Sequence, residues 1–104
     1  MAWVLVWIAG CFEVSFALGL KYSEGFTKLV PSVIGLGSGL VSFLLLTVAM
    51  KSLSVGSAYA VWTGIGAAGT VLVGIIVLGD SASPGRLVAV GFVLVGVVGL
   101  RLAE

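Results

Sequence analysis

The sequence predicts an all-α membrane protein with four transmembrane helices, and three observations predict it. Apolar residues fill 61% of the 104 positions and charged residues only 9%, whereas soluble chains carry about 25% charged residues. With one exception, the charges fall at spacings that divide the chain into four apolar runs, each close to the ~20 helical residues needed to cross a ~30 Å hydrocarbon core. The connectors KYSEGFTK, KSLSVG and GDSASPG are too short to separate domains. The chain therefore reads as a single integral membrane domain over residues 1–104, with spans at about 2–20, 29–50, 57–78 and 86–102. A soluble helical domain is excluded, because so few polar side chains cannot cover its surface.

The first span carries the exception. Glu13 lies in the middle of MAWVLVWIAGCFEVSFALGLK, with no other charge until Lys21. A charged side chain at the bilayer centre costs at least about 2.5–3.5 kcal/mol. Such a group persists where it faces protein or a water-filled cavity, so Glu13 is the first candidate functional residue. Helical faces recur at three and four residues, which places Ala9, Gly10, Phe16 and Ala17 on its face. Small residues such as Gly10 let a helix or a ligand come close. Trp3 and Trp7, near the outer end of the span, read as interface anchors. Nothing basic precedes Lys21, so the span lacks a signal-peptide n-region and is expected to remain in the mature protein. Cys11, the one cysteine, is expected to be a small buried hydrophobe.

The second span places Gly35, Gly39 and Ser42 at i, i+4 and i+7. Gly35 and Gly39 form a small-xxx-small pair that suits close helix packing. Ser42 continues the stripe with a hydroxyl able to donate to a carboxylate. The third span puts Tyr59, Trp62, Thr63 and Gly66 on one face. Tyr59 is near enough to the interface to serve as a belt residue; Trp62 is deeper. Gly64-Ile-Gly66-Ala-Ala-Gly69 matches the spacing of a dinucleotide fingerprint, but that fingerprint needs a strand before it and a helix start. Inside a membrane span, Gly64 and Gly66 instead mark a thin, bendable stretch of helix. The fourth span, RLVAVGFVLVGVVGLRL, has no polar interior residue. Gly91, Gly96 and Gly99 leave it smooth, which fits a packing or dimer-contact helix, with Arg86 and Arg101 reaching the headgroups.

Several function classes drop out. There is no histidine, and one cysteine with four scattered acids gives no metal-ligand spacing. No nucleophile, base and acid set is available. The chain is not expected to be an enzyme, to hold a metal or cofactor, or to bind nucleic acid.

Four spans put both termini on one side, together with Lys51 and Arg101. Lys21, Lys28 and Arg86 lie on the other. The positive-inside rule reads lysine and arginine imbalance, and here the two sides nearly balance. Either another factor fixes the orientation or the protein inserts both ways. The second reading permits an antiparallel, dual-topology dimer of eight helices, the subunit-level version of an inverted repeat. A dimer could hold a cavity that four helices alone do not enclose, and it would bring two copies of Glu13 together. An acid with aromatic faces and hydroxyls nearby suits a cation, through charge and cation–π attraction. If protons and a cation compete for that carboxylate, and the loaded states reorient across the membrane, antiport follows without other machinery.

The segments AGCFEV, LKYSEGFTKLVPS, AMKSLSVGSAYAVWTGIGA and LGDSASPGRL, in that order and spacing, resemble the small multidrug resistance family of proton-coupled exporters. Within it, SAYAVWTGIGA and the ending GLRL look most like the guanidinium exporters. The resemblance implies an antiparallel homodimer in the bacterial inner membrane that exchanges protons for guanidinium-type cations. It assigns Glu13 as the shared proton and substrate carboxylate. It likens Tyr59 and Trp62 to the aromatic site positions, Ser42 to the serine that hydrogen-bonds the carboxylate, and the fourth helix to the one that holds the dimer. Guanidinium exporters commonly carry tryptophan where this chain has Phe16. Phenylalanine keeps the aromatic face and loses the indole N–H, so the substrate range is open. The alternatives are a polyspecific exporter of quaternary ammonium cations and one subunit of a heterodimeric exporter. A proton-carrying rotor subunit also uses a mid-membrane acid, but such subunits are typically two-helix hairpins.

Overall fold

The computed structural model describes residues 1–103 and contains four α-helices: α1 (Ala2–Tyr22), α2 (Leu29–Ala49), α3 (Val55–Val77) and α4 (Pro84–Ala103). All four are long and apolar enough to cross a membrane. They match the four predicted spans to within two residues at each end, and the differences have local causes. Lys21 and Tyr22 continue α1, with Lys21 in the last turn, where a cation offsets the negative helix end. The chain then turns through left-handed backbone at Glu24, Gly25 and Phe26, with φ of 49°, 74° and 66°. Ser23 holds that turn: its hydroxyl donates to the Leu20 carbonyl at 2.8 Å and accepts from the Phe26 N–H at 3.2 Å. The third helix starts two residues earlier than expected because Ser54 caps it, its side chain accepting from the Ser57 N–H. Pro84 opens α4, and the Ser83 hydroxyl accepts the Arg86 N–H at 3.3 Å.

Glycines set where the helices cross. An added Cβ at Gly19 would lie 2.8 Å from the Gly35 nitrogen and 3.0 Å from the Pro31 carbonyl oxygen. At this point α1 and α2 meet backbone to backbone, as small-residue membrane packing allows. One turn further along, Gly39 receives the Phe16 ring, whose Cδ1 would be 2.8 Å from a Cβ there. The packing reading of the Gly35 and Gly39 pair therefore holds. Ser15 and Ser38 add a hydroxyl contact of 2.8 Å between the same two helices.

The remaining order follows from contacts. Both α2 and α3 pack on α1, α4 packs on α3, and α2 touches α3 only lightly. The Cα envelope measures 41 × 34 × 17 Å. The core lies at the α1–α2–α3 junction, where Val6, Ala9, Leu46, Ala58, Val61, Trp62 and Ile65 are buried. The fourth helix stands at the edge and buries only Val90 and Val97. Cys11 departs from expectation: it is exposed, because the face of α1 that carries it turns away from the core.

Trp3 and Arg101 meet at one end, with the guanidinium carbon 5.3 Å from the ring centre. That contact joins the start of α1 to the end of α4, so both ends of the described chain lie on one side. Trp3 also packs partly against the core, while Trp7 is exposed.

Candidate functional site

Glu13 is the twelfth residue of a 21-residue helix, so it sits at mid-depth. Its side chain lies against α3. An added Cβ at Gly66 would collide with the Glu13 Oε2 and Cδ and lie 3.0 Å from Oε1. The missing side chain at Gly66 is the space the carboxylate occupies. Oε2 is buried and has no hydrogen-bond partner among the described residues. Buried polar atoms are nearly always paired, so an orphaned carboxylate oxygen in the membrane interior points to a role beyond packing.

Around the acid, α1, α2 and α3 contribute a linked set of groups. Trp62 is buried, and its Nε1–H donates to the Ser42 hydroxyl oxygen at 2.8 Å. Ser42 is buried too, and its own proton goes to the Ala9 carbonyl at 2.6 Å. This corrects the expected Ser42 bond to the carboxylate: in this conformation the hydroxyl serves backbone one turn before Glu13. In the α-helical ladder, that same Ala9 carbonyl accepts the Glu13 N–H. Ser42 and Trp62 thus hold the α1 turn that carries Glu13. Tyr59 is half exposed, with its ring centre 5.3 Å from that of Trp62. Phe43 also meets Trp62, with ring centres 5.4 Å apart. It follows Gly39 by four residues on the stripe that led to Ser42, so its position was available in the sequence. Both rings are exposed to about half their area, so the aromatic group opens outward from a buried tryptophan.

Other expected residues are placed differently. Gly10 does not line a space: it is buried, and a Cβ there would lie 2.9 Å from the Ile65 Cβ, so it closes the α1–α3 packing. Phe16 lies across Gly39 on the Glu13 face of α1. The third helix runs without a break through Gly64 and Gly66. These glycines act by absence of volume, Gly64 admitting Val97 and Val93 of α4 and Gly66 admitting Glu13. Gly91, Gly96 and Gly99 have open space where a Cβ would stand. No group of three or more His, Cys, Asp or Glu able to hold a metal occurs among the described residues.

Residues 1–100 match the family described as Small Multidrug Resistance protein. The chain belongs to the small multidrug resistance family. Its curated relatives include a guanidinium exporter of Yersinia pseudotuberculosis, 55% identical over 104 residues, with both chains covered in full. A guanidinium exporter of Citrobacter freundii is 52% identical over 103 residues, covering 99% of this chain and 98% of the relative. One from Salmonella typhimurium is 50% identical over the same extent. As a small multidrug resistance protein with four membrane-long helices, the chain is a multi-pass inner-membrane transport protein.

Proposed function

We propose that this protein exports guanidinium-type cations in exchange for protons, with Glu13 holding either a proton or the cation. The observation that carries the reading is the unpartnered Glu13 Oε2, buried at mid-membrane against Gly66. A planar guanidinium can satisfy a carboxylate bidentately, and a proton can neutralise it. Either occupant relieves the cost of an unpaired charge in hydrocarbon. The two cannot share the carboxylate at full occupancy, so gradients of one can drive the other. The guanidinium exporters at 50–55% identity over essentially the whole chain support this substrate class.

The working unit is an antiparallel homodimer within one bilayer. Four helices alone enclose little space, and a second copy supplies the other wall of a transport cavity. The two sides carry nearly equal numbers of basic residues, which suits insertion in both orientations. The exposed face of α4 with Gly91, Gly96 and Gly99 is free to pack against a second copy. Tyr59 and Phe43, both in ring contact with Trp62, offer the cation aromatic faces. Ser42, Phe16 and Trp62 line the site from α2, α1 and α3.

Reconstitution into liposomes tests this. Guanidinium added on one side is expected to move protons the other way in the wild-type protein, and Glu13→Gln is expected to abolish the exchange. A panel of guanidinium and quaternary ammonium ions distinguishes the substrate classes. Exchange with tetra-alkyl ammonium ions as fast as with guanidinium would assign the polyspecific alternative instead. Activity that appears only on co-expression with a second homologous chain would assign a heterodimer.

A further inference from the structure

Opposite the Glu13 face, α1 and α2 form a groove of about 560 Å³ that is open to the surroundings. Cys11, Ser15 and Gly19, one turn apart, keep its α1 side shallow, and Leu18 and Ile34 wall it. Cys11 and Ser15 are each two residues from Glu13, which at about 100° per residue turns them to the other side of the helix. The groove is therefore separate from the transport site. One end carries Lys28 and Tyr22 and the other ends at Cys11. From Tyr22 to Cys11 is about 16 Å at the α-helical rise of ~1.5 Å per residue. That is about half of a ~30 Å hydrocarbon core, the depth of one leaflet.

We propose that this groove binds one phospholipid with an anionic headgroup, its acyl chain along Ser15 and Cys11 and its phosphate at Lys28. Three features select this occupant. The groove opens on the membrane-long stretch of α1 and α2, where a lipid chain fills it unless protein covers it. Its length fits a single leaflet, with the charged end at the headgroup level. The charge at that end is complementary to phosphate: Lys28 stands at the mouth and Lys21 is exposed in the last turn of the neighbouring helix. The Lys28 ammonium lies 3.5 Å from Glu24, with both side chains more than half exposed. A surface pair of that kind holds little energy, so Lys28 is free to turn to a phosphate. The proposal stands on the membrane placement of the helices and not on the exchange mechanism.

Native mass spectrometry of the purified protein, with phosphatidylglycerol or phosphatidylcholine added, tests it. Wild type is expected to retain one phosphatidylglycerol per chain, and Lys28→Gln is expected to weaken that retention about fivefold, the effect of one basic residue at an anionic surface. Lys28→Arg is expected to keep it. Phosphatidylcholine, whose choline cation offsets its phosphate, is expected to be retained less by wild type and to lose less on Lys28→Gln than phosphatidylglycerol does. Cys11→Phe fills the far end and is expected to reduce retention of both lipids. Equal retention of the two lipids by wild type, or an unchanged Lys28→Gln variant, would overturn the proposal whether or not Cys11→Phe folds. Loss of self-association in Cys11→Phe with lipid retention intact would assign the groove to a second copy of the chain.

Discussion

Replacing Gly66 with alanine separates stability from transport in this protein. The added methyl would stand where the Glu13 carboxylate now lies, in collision with Oε2 and Cδ and 3.0 Å from Oε1. The three nearest atoms all belong to the Glu13 side chain, which is flexible and gives way while α3 keeps its place. Alanine is favoured over glycine by about 0.8–1 kcal/mol in a helix interior, so thermal stability in detergent is expected to hold or rise slightly. The carboxylate, however, must move by about 1 Å, and displacements of that size in positioned groups cost about 10²-fold in rate. Guanidinium-driven proton flux in liposomes is the assay, read beside the melting temperature of the same preparation. A variant that is equally stable and about a hundredfold slower supports the geometry. Exchange at the wild-type rate would refute the placement of Glu13 against Gly66.

Other substitutions probe other parts of the arrangement. Ser42→Ala leaves the buried Trp62 N–H without its acceptor, which is expected to cost about 1–3 kcal/mol; denaturation in detergent checks the loss, and Ser42→Thr should recover part of it. Gly19→Ala pushes a methyl into the Gly35 backbone and is expected to destabilise the α1–α2 crossing by about 1–3 kcal/mol, visible as a lower melting temperature or a lower yield of folded protein. Arg101→Gln removes the cation–π contact with Trp3, and an effect of about 0.5–1 kcal/mol on stability is expected, with exchange unchanged.

Much of the fold was legible because the bilayer imposes a length on every span, and the charges at Lys21, Lys28, Lys51 and Asp80 mark where the apolar runs stop. The ends were less legible. Caps at Ser54 and Ser83 depend on hydroxyl contacts that hydropathy does not register. Glu13 was visible at once, since an acid in an apolar run has few structural uses. Periodicity reports which face Gly10 shares with Glu13 and not what covers that face; Ile65 covers it. The proton of Ser42 goes to Ala9, 33 residues away in the chain, and the choice between that carbonyl and the carboxylate depends on the angle at which α2 crosses α1. The groove on the far side of α1 was hidden for a related reason. Cys11 looks like any small buried residue until the structure shows that no helix lies over it.

The central claim is most directly tested by measuring guanidinium binding to the purified protein together with the protons released. Wild type is expected to release protons as guanidinium binds, and its affinity is expected to fall as the solution is acidified. Glu13→Gln is expected to do neither. Tight, pH-independent binding of guanidinium by Glu13→Gln would contradict the account.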